Sequence, residues 1–286
     1  MTVERQRLRP LVLGDARPRD RSEEEIVGYR KALSWVHAHH AKIAVEPATF
    51  QRLHALAQGG TSGDAGQWKR TQNDIIQIFP DGRREIRFRP LAPEQVPPAA
   101  EELCLAYRDA VGPRGVPILV AAAALLLDFL CIHPLRDGNG RVSRLLTLLV
   151  LYQHGYEVGR YISLERLVEQ TKDSYYDVLA RSSAGWHEGR HDVLPWFSYF
   201  LTTLRAAYRE FEERAGRARP TGSKADLVAY ALETMSGPFG IADLERLCPN
   251  VSREMIRIVM NRWRREKRLE ITRRGRDARY RVVPKA

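Results

Sequence analysis

An apolar run from Ile118 to Ile132, interrupted only by Asp128, ends in His133-Pro134-Leu135-Arg136-Asp137-Gly138-Asn139-Gly140-Arg141-Val142-Ser143-Arg144. A second largely apolar run, Leu145 to Tyr152, follows at once. Both runs must be buried, so the polar knot between them is held by the core at each end. An ordinary connecting loop has no need of a histidine, an aspartate, an asparagine and two arginines at fixed offsets.

Each residue type in the knot has a physical use. Gly138 and Gly140 let the backbone turn sharply and approach a ligand closely. A helix beginning near Asn139 or Gly140 leaves its first N–H groups unpaired and its positive dipole end exposed, which makes an anion site. Arg141 and Arg144, three apart, share one face of that first turn, and two guanidinium forks there suit a polyphosphate. Asp137 is a hard oxygen donor of the kind magnesium takes. His133 is the one group in the loop that accepts a proton near neutral pH. Phosphate, metal and general base together point to nucleotide-dependent group transfer. A plain helix-linking turn accounts for Asp137-Gly138-Asn139 but not for His133, Arg141 and Arg144 together. The P-loop is excluded, because no Lys-Ser/Thr pair follows the second glycine.

The stretch resembles the signature of Fic (Fido) domains, H-P-F-x-[D/E]-G-N-G-R-x-x-R, with Leu135 where that family usually has Phe. The resemblance implies a mainly α fold, a Fic-type helical bundle with a β-hairpin flap. It implies a protein adenylyltransferase that uses ATP and magnesium to move AMP onto a Ser, Thr or Tyr hydroxyl of a target protein. In that reading His133 is the catalytic base and Asp137 holds the metal. Gly138, Asn139 and Gly140 form the anion cradle, with the Asn139 amide on the α-phosphate, and Arg141 and Arg144 neutralise the β- and γ-phosphates. Leu135 is expected to plug the core. Removal of AMP, or transfer of another nucleotide-derived group, is an alternative for the same loop. A further alternative is a DNA-binding regulator whose Fic fold only senses nucleotide. The inhibitory pattern of many relatives, [S/T]-x-x-x-E-[G/N], is not found, so such a segment lies upstream of this chain, on another protein, or nowhere. If it is absent, Arg144 is left for the γ-phosphate and the chain should modify itself without an activator.

Composition sets the frame. A chain of 286 residues with 44% hydrophobic content suits two domains. Its three cysteines, Cys104, Cys131 and Cys248, are widely spaced. They show neither a disulfide nor a metal pattern, which suits the cytoplasm. Met1 to Arg5 lacks a signal-peptide core, and no apolar run is long enough to span a bilayer, so no membrane association is expected. The net charge of +11 is uneven: from Thr221 onward 12 Arg and 3 Lys stand against 8 Asp or Glu, a net of +7. That asymmetry points to an acidic partner for the C-terminal part.

In chain order, residues 1–21 read as a partly disordered lead-in, 22–215 as the catalytic domain, 216–223 as a linker and 224–286 as a winged-helix domain. Ser22-Glu23-Glu24-Glu25 predicts a helix start with Ser22 as N-cap. That helix runs to about His40, with Ile26, Tyr29, Leu33 and Val36 on its buried face. His37, His39 and His40 read as its exposed end. A helix follows from Pro47 to about Gln58. Gly66-Gln67-Trp68-Lys69-Arg70 then leads to Gln72-Asn73-Asp74-Ile75-Ile76 and, across Asp81-Gly82, to Glu85–Phe88, a hairpin signal. It resembles the family's flap, whose edge is thought to hold the target as an added strand, so Gln72 to Ile76 are expected to dock a protein target. Glu94 to Val111 predicts a helix with Leu103, Leu105, Ala106 and Ala110 inside. Tyr175-Tyr176 resembles a family tyrosine pair sometimes near the adenine, and Pro195-Trp196-Phe197 opens the last helix, to about Arg214.

The C-terminal part reads as three helices, then strand, turn and strand, and resembles a winged helix-turn-helix. With Ser252 as N-cap, the third helix would present Arg253, Arg257, Asn261 and Arg264 to a major groove. Arg273, Arg274, Arg276 and Arg279 in the wing would reach phosphates or a minor groove. DNA is therefore expected as a partner of this module, with a protein-docking winged helix as the alternative, and a homodimer is left open.

Overall fold

The computed structural model describes residues 5–13, 16–59, 63–78, 81–218, 223–235, 237–273, 275 and 278–283. The chain divides into two units, Met1–Phe211 and Glu212–Ala286, each with its own apolar core. The lead-in expected to be partly disordered instead includes α1 (Arg5–Leu13). Leu11 is fully buried, and Arg7 forks onto the Glu23 carboxylate at 2.8 and 2.6 Å. A bidentate charge pair of this kind fixes a short helix that its own propensity could not.

Helix α2 (Arg21–His39) is capped by Asp20, whose carboxylate accepts the Glu23 N–H at 2.9 Å, and not by Ser22. Its buried residues are Glu23, Gly28, Ala32 and Val36; Ile26, Tyr29 and Leu33 are only half-buried. The rotation has a steric cause. A Cβ on Gly28 would lie 2.6 Å from Leu56 O, 2.7 Å from Ala57 O and 2.7 Å from Gly59 N. Gly28 therefore lets α2 press directly on the end of α3 (Pro47–Ala57), and the small residues turn toward that contact.

Strands β1 (Ile75–Ile78) and β2 (Arg84–Phe88) pair antiparallel with Ile76 opposite Ile86 and a register shift between Ile75 and Ile76. Helix α4 (Val96–Val111) buries Val96, Ala100, Leu103, Cys104 and Tyr107. Leu105, expected inside, is 58% exposed, because the inward stripe repeats every three or four residues from Val96 and Leu105 falls off it. Helix α5 (Ile118–Ile132) is buried on nearly every side and packs on α4 and on α6 (Asn139–Gln153), which also meets α2 and α3. Helices α7 (Leu164–Gln170), α8 (Lys172–Ser183) and α9 (Leu194–Ala218) complete the bundle. Trp196 anchors α9 by donating its indole N–H to Ala123 O at 2.7 Å. Helix α9 runs past Arg214 and takes in 216–218 of the expected linker; residues 219–222 lie outside the described residues.

The second unit holds α10 (Lys224–Glu233), α11 (Ile241–Leu247) and α12 (Arg253–Arg265), followed by the antiparallel pair β3 (Leu269–Arg273) and β4 (Arg279–Val282). Phe239, between α10 and α11, exchanges two 2.9 Å hydrogen bonds with Tyr280 of β4. Val228, Leu232, Leu244, Ile256, Val259, Met260 and Trp263 form the core, and Ser252 caps α12 by accepting the Met255 N–H. Among the described residues, no helix is long and apolar enough to cross a membrane.

Replacing Gly28 by Ala should lower stability. Helix propensity alone favours Ala by about 1 kcal/mol, but overpacking against backbone atoms that cannot rotate away costs about 1–3 kcal/mol. Thermal unfolding of Gly28→Ala should show a lower midpoint; an unchanged or raised midpoint would contradict the close helix contact.

Candidate active site

Helix α5 ends at Ile132, and His133 forms its C-cap in the left-handed region, with φ 50° and ψ 59°. That conformation is uncommon for a residue other than glycine, and Pro134 after it forbids any continuation of the helix. The turn sets the imidazole facing outward from the core. His133 Nδ1 lies 3.2 Å from Leu130 O. A carbonyl only accepts, so Nδ1 carries the proton and Nε2 presents a lone pair. Burial drives the His133 pKa down to about 4, and the charges of Lys69 and Arg87 push the same way. The ring is neutral at physiological pH.

Three braces hold the loop beyond His133. The first is Asn139, 2% exposed, which accepts the Leu135 N–H at 3.0 Å and donates its own amide to Leu135 O at 2.7 Å. The side-chain amide thus bonds within the loop at both its oxygen and its nitrogen. What Asn139 offers a ligand is its backbone N–H, at the first turn of α6, where Gly138 with φ +83° supplies the cap. Leu135 itself is fully buried.

The second brace comes from the flap lead. Lys69 N–H donates to Pro134 O at 2.9 Å, Lys69 Nζ donates to Asn73 Oδ1 at 2.8 Å, and Asn73 Nδ2 donates to Leu135 O at 2.8 Å. Asn73, expected to face a docked target, thus turns its side chain into the loop. Lys69 is buried, and that burial brings its ammonium pKa down to about 8. The third brace is buried His54, which accepts the Gly66 N–H on Nδ1 at 3.1 Å and has Nε2 3.0 Å from the Gln58 amide. A Cβ on Gly138 would sit 3.5 Å from both side chains.

The charged residues form a ring. Arg141 Nη1 lies 3.0 Å from Glu25 of α2 and its Nη2 3.4 Å from Asp137. Arg21 reaches the same two carboxylates, Glu25 at 3.1 Å and Asp137 at 3.3 Å. Arg141 Nη1 is buried and meets Glu25 as an ion pair without hydrogen-bond alignment. Arg144 lies against Tyr29, whose hydroxyl donates to Glu165 at 2.5 Å.

His133, Gly140 and Arg144 line one cleft with Asn73, Asp74 and Ile75 of the hairpin and with Tyr175 and Tyr176 of α8. Arg144 also faces a second cleft, shared with Asp137, Arg141, Arg21 and Glu25. The loop residues read from the sequence are therefore brought together around Arg144. On the hairpin, Gln72 donates to Asp74 and to Pro90 O, each at 3.0 Å, and Asp74 pairs with Arg89 at 3.5 Å. Ile75 and Ile76 open β1, and no further strand pairs with it among the described residues. In the second unit Arg253, Arg257, Asn261 and Arg264 are exposed and line one groove. Arg273 is exposed at the end of β3, outside that groove. Arg274 and Arg276 lie outside the described residues.

The Fic/DOC family model matches residues 44–151, the span that contains α3, the hairpin, α5 and the loop. Over those residues the chain is similar to the Fic/DOC family. A Fido domain-containing protein of Dictyostelium discoideum is 32% identical over 90 residues, which cover 32% of this chain and 58% of that protein. A Fic family protein from Desulfovibrio desulfuricans shares the fold with a TM-score of 0.60 at 20% identity, over 100% of this chain and 82% of its own. Fic-1 of C. elegans gives a TM-score of 0.58 at 19% identity, over 76% of this chain and 60% of its own. Fic/DOC proteins generally transfer nucleotide-derived groups to proteins.

Glu25, paired with Arg141, competes with any anion for that guanidinium. Freeing Arg141 by Glu25→Gln should tighten binding of a polyphosphate anion such as tripolyphosphate about 2- to 5-fold, the worth of a partly exposed ion pair. Titration calorimetry checks this; equal or weaker binding by the variant would show that the ring does not restrain Arg141.

Proposed function

We propose that the domain is a protein adenylyltransferase that moves AMP from ATP to a Ser, Thr or Tyr hydroxyl of a target protein. One observation supports this most: the neutral His133, with its lone pair on Nε2, shares a cleft with the first turn of α6, Arg144 and the start of β1. His133 Nε2 takes the proton of the target hydroxyl. The hydroxyl oxygen bonds to the α-phosphorus, the bond from that phosphorus to the bridging oxygen of the β-phosphate breaks, and pyrophosphate leaves. The product is a phosphodiester between AMP and the target side chain.

The backbone N–H groups of Asn139 and Gly140, unpaired at a helix start, receive α-phosphate oxygens. Arg141 and Arg144 take the β- and γ-phosphates through their guanidinium forks. The Asp137 carboxylate, 57% exposed beside this anion site, fits as the oxygen donor for magnesium. Bound there, magnesium would neutralise charge on the phosphates. The unpaired edge of β1 suits an extended target segment added as a strand, so Ile75 and Ile76 supply backbone groups and Asn73 serves the loop.

Incubation with ATP labelled on the α-phosphate tests the reading. Wild type should label protein, while label on the γ-phosphate should not transfer. His133→Ala should reduce labelling by about 100-fold or more, the usual worth of a general base. Equal labelling by His133→Ala would remove His133 from the reaction, and transfer of the γ-label would replace adenylyl by phosphoryl transfer.

A further inference from the structure

We propose that the groove of the second unit binds double-stranded DNA. Arg253, Arg257, Asn261 and Arg264 recur at helical spacing on α12 and are all exposed, while Ile256, Val259, Met260 and Trp263 face the core. Arg279 of β4, a wing residue by sequence, lines the same groove with Arg246 of α11, which the sequence does not single out. Asp243 explains their placement. It accepts the Gly240 N–H at 2.8 Å and holds Arg246 at 2.9 Å and Arg279 at 3.1 Å. Asp243, the one carboxylate among the described residues that line the groove, thereby aligns two guanidinium groups. Arg253 pairs with Glu245 at 3.5 Å, whereas Arg257 and Arg264 have no ion pair among the described residues.

The chemistry favours duplex DNA over the other acidic partners. Guanidinium forks match phosphate oxygens, and asparagine pairs in a bidentate manner with the major-groove edge of adenine. A helix ~10–12 Å across fits a B-form major groove ~12 Å wide, while the deep, narrow major groove of A-form RNA excludes it. A protein-docking face is expected to have an aromatic or aliphatic centre; the middle of this one is Arg257 and Asn261. The net charge of +7 over residues 221–286 supplies the long-range attraction.

The test uses the full chain and a fluorescent DNA duplex of ~20–25 base pairs, enough for two helical turns, with anisotropy read between ~50 and ~200 mM salt. Wild type should bind, with affinity falling steeply as salt rises. The double variant Arg257→Ala/Arg264→Ala should bind about tenfold or more weakly, and its slope against the logarithm of salt should be shallower by about 2. Both side chains are exposed, so the double variant should keep its fold, which circular dichroism and the thermal unfolding midpoint verify. Arg257→Lys/Arg264→Lys, keeping the charge, should retain the wild-type salt slope. No binding by wild type at the lowest salt, unchanged binding by the folded double variant, or tighter binding of an RNA duplex of equal length would each overturn the proposal.

Discussion

Two hydrogen bonds between the Asn139 side chain and the backbone of Leu135 carry the site. They close a short loop between two buried helices, where water cannot substitute for a lost partner, so each orphaned group would cost about 1–3 kcal/mol. Because Leu135 is pinned from one side by Asn139 and from the other by Asn73, its side chain stays in the core and Pro134 keeps its direction. His133 then has one way to face. His133 and Gly140, in the first turn of α6, line one cleft. A first turn held in this way costs little reorganisation on binding an anion, because folding has already arranged it.

Around that fixed loop the charges are less settled. Arg21, Glu25, Asp137 and Arg141 satisfy one another in a ring that ties α2 to α6. The pairs are partly exposed, so each is worth little, yet together they hold both the metal-ligand candidate and one phosphate-ligand candidate in a resting arrangement. Gly28 lets α2 press on the end of α3, and Glu25 of the same helix reaches Arg141 of α6.

The loop was legible in the sequence because its residue types sit at fixed offsets between two apolar runs, and the hairpin because Asp81-Gly82 separates β-branched stretches. Orientation was not legible. Asn139 and Asn73 are polar residues in a polar stretch, and nothing local says that their amides turn inward. Lys69 and His54 look like surface residues by type; His54 alone left a trace, falling on the buried stripe of α3 with Phe50, Leu53 and Ala57. The face of α2 was misjudged because periodicity weighs apolar residues and overlooks what a glycine does for a close crossing. Helix α1 escaped notice because its anchor, Glu23, is distant in sequence from Arg7.

The central claim is that folding alone presents His133 neutral, with its proton on Nδ1. In the unfolded chain this histidine would titrate near 6.5; in the folded chain burial lowers it to about 4. The unfolded state therefore takes the proton first, and the stability this neutral ring contributes is complete above about pH 6.5 and is lost as the pH falls toward 4. Nitrogen-15 NMR of the His133 ring in the nucleotide-free protein reads tautomer and titration together. The expected result is a protonated Nδ1 and a bare Nε2 at neutral pH, with the ring gaining its second proton only near pH 4. A ring that titrates near 6.5, or that carries its neutral proton on Nε2, would contradict it.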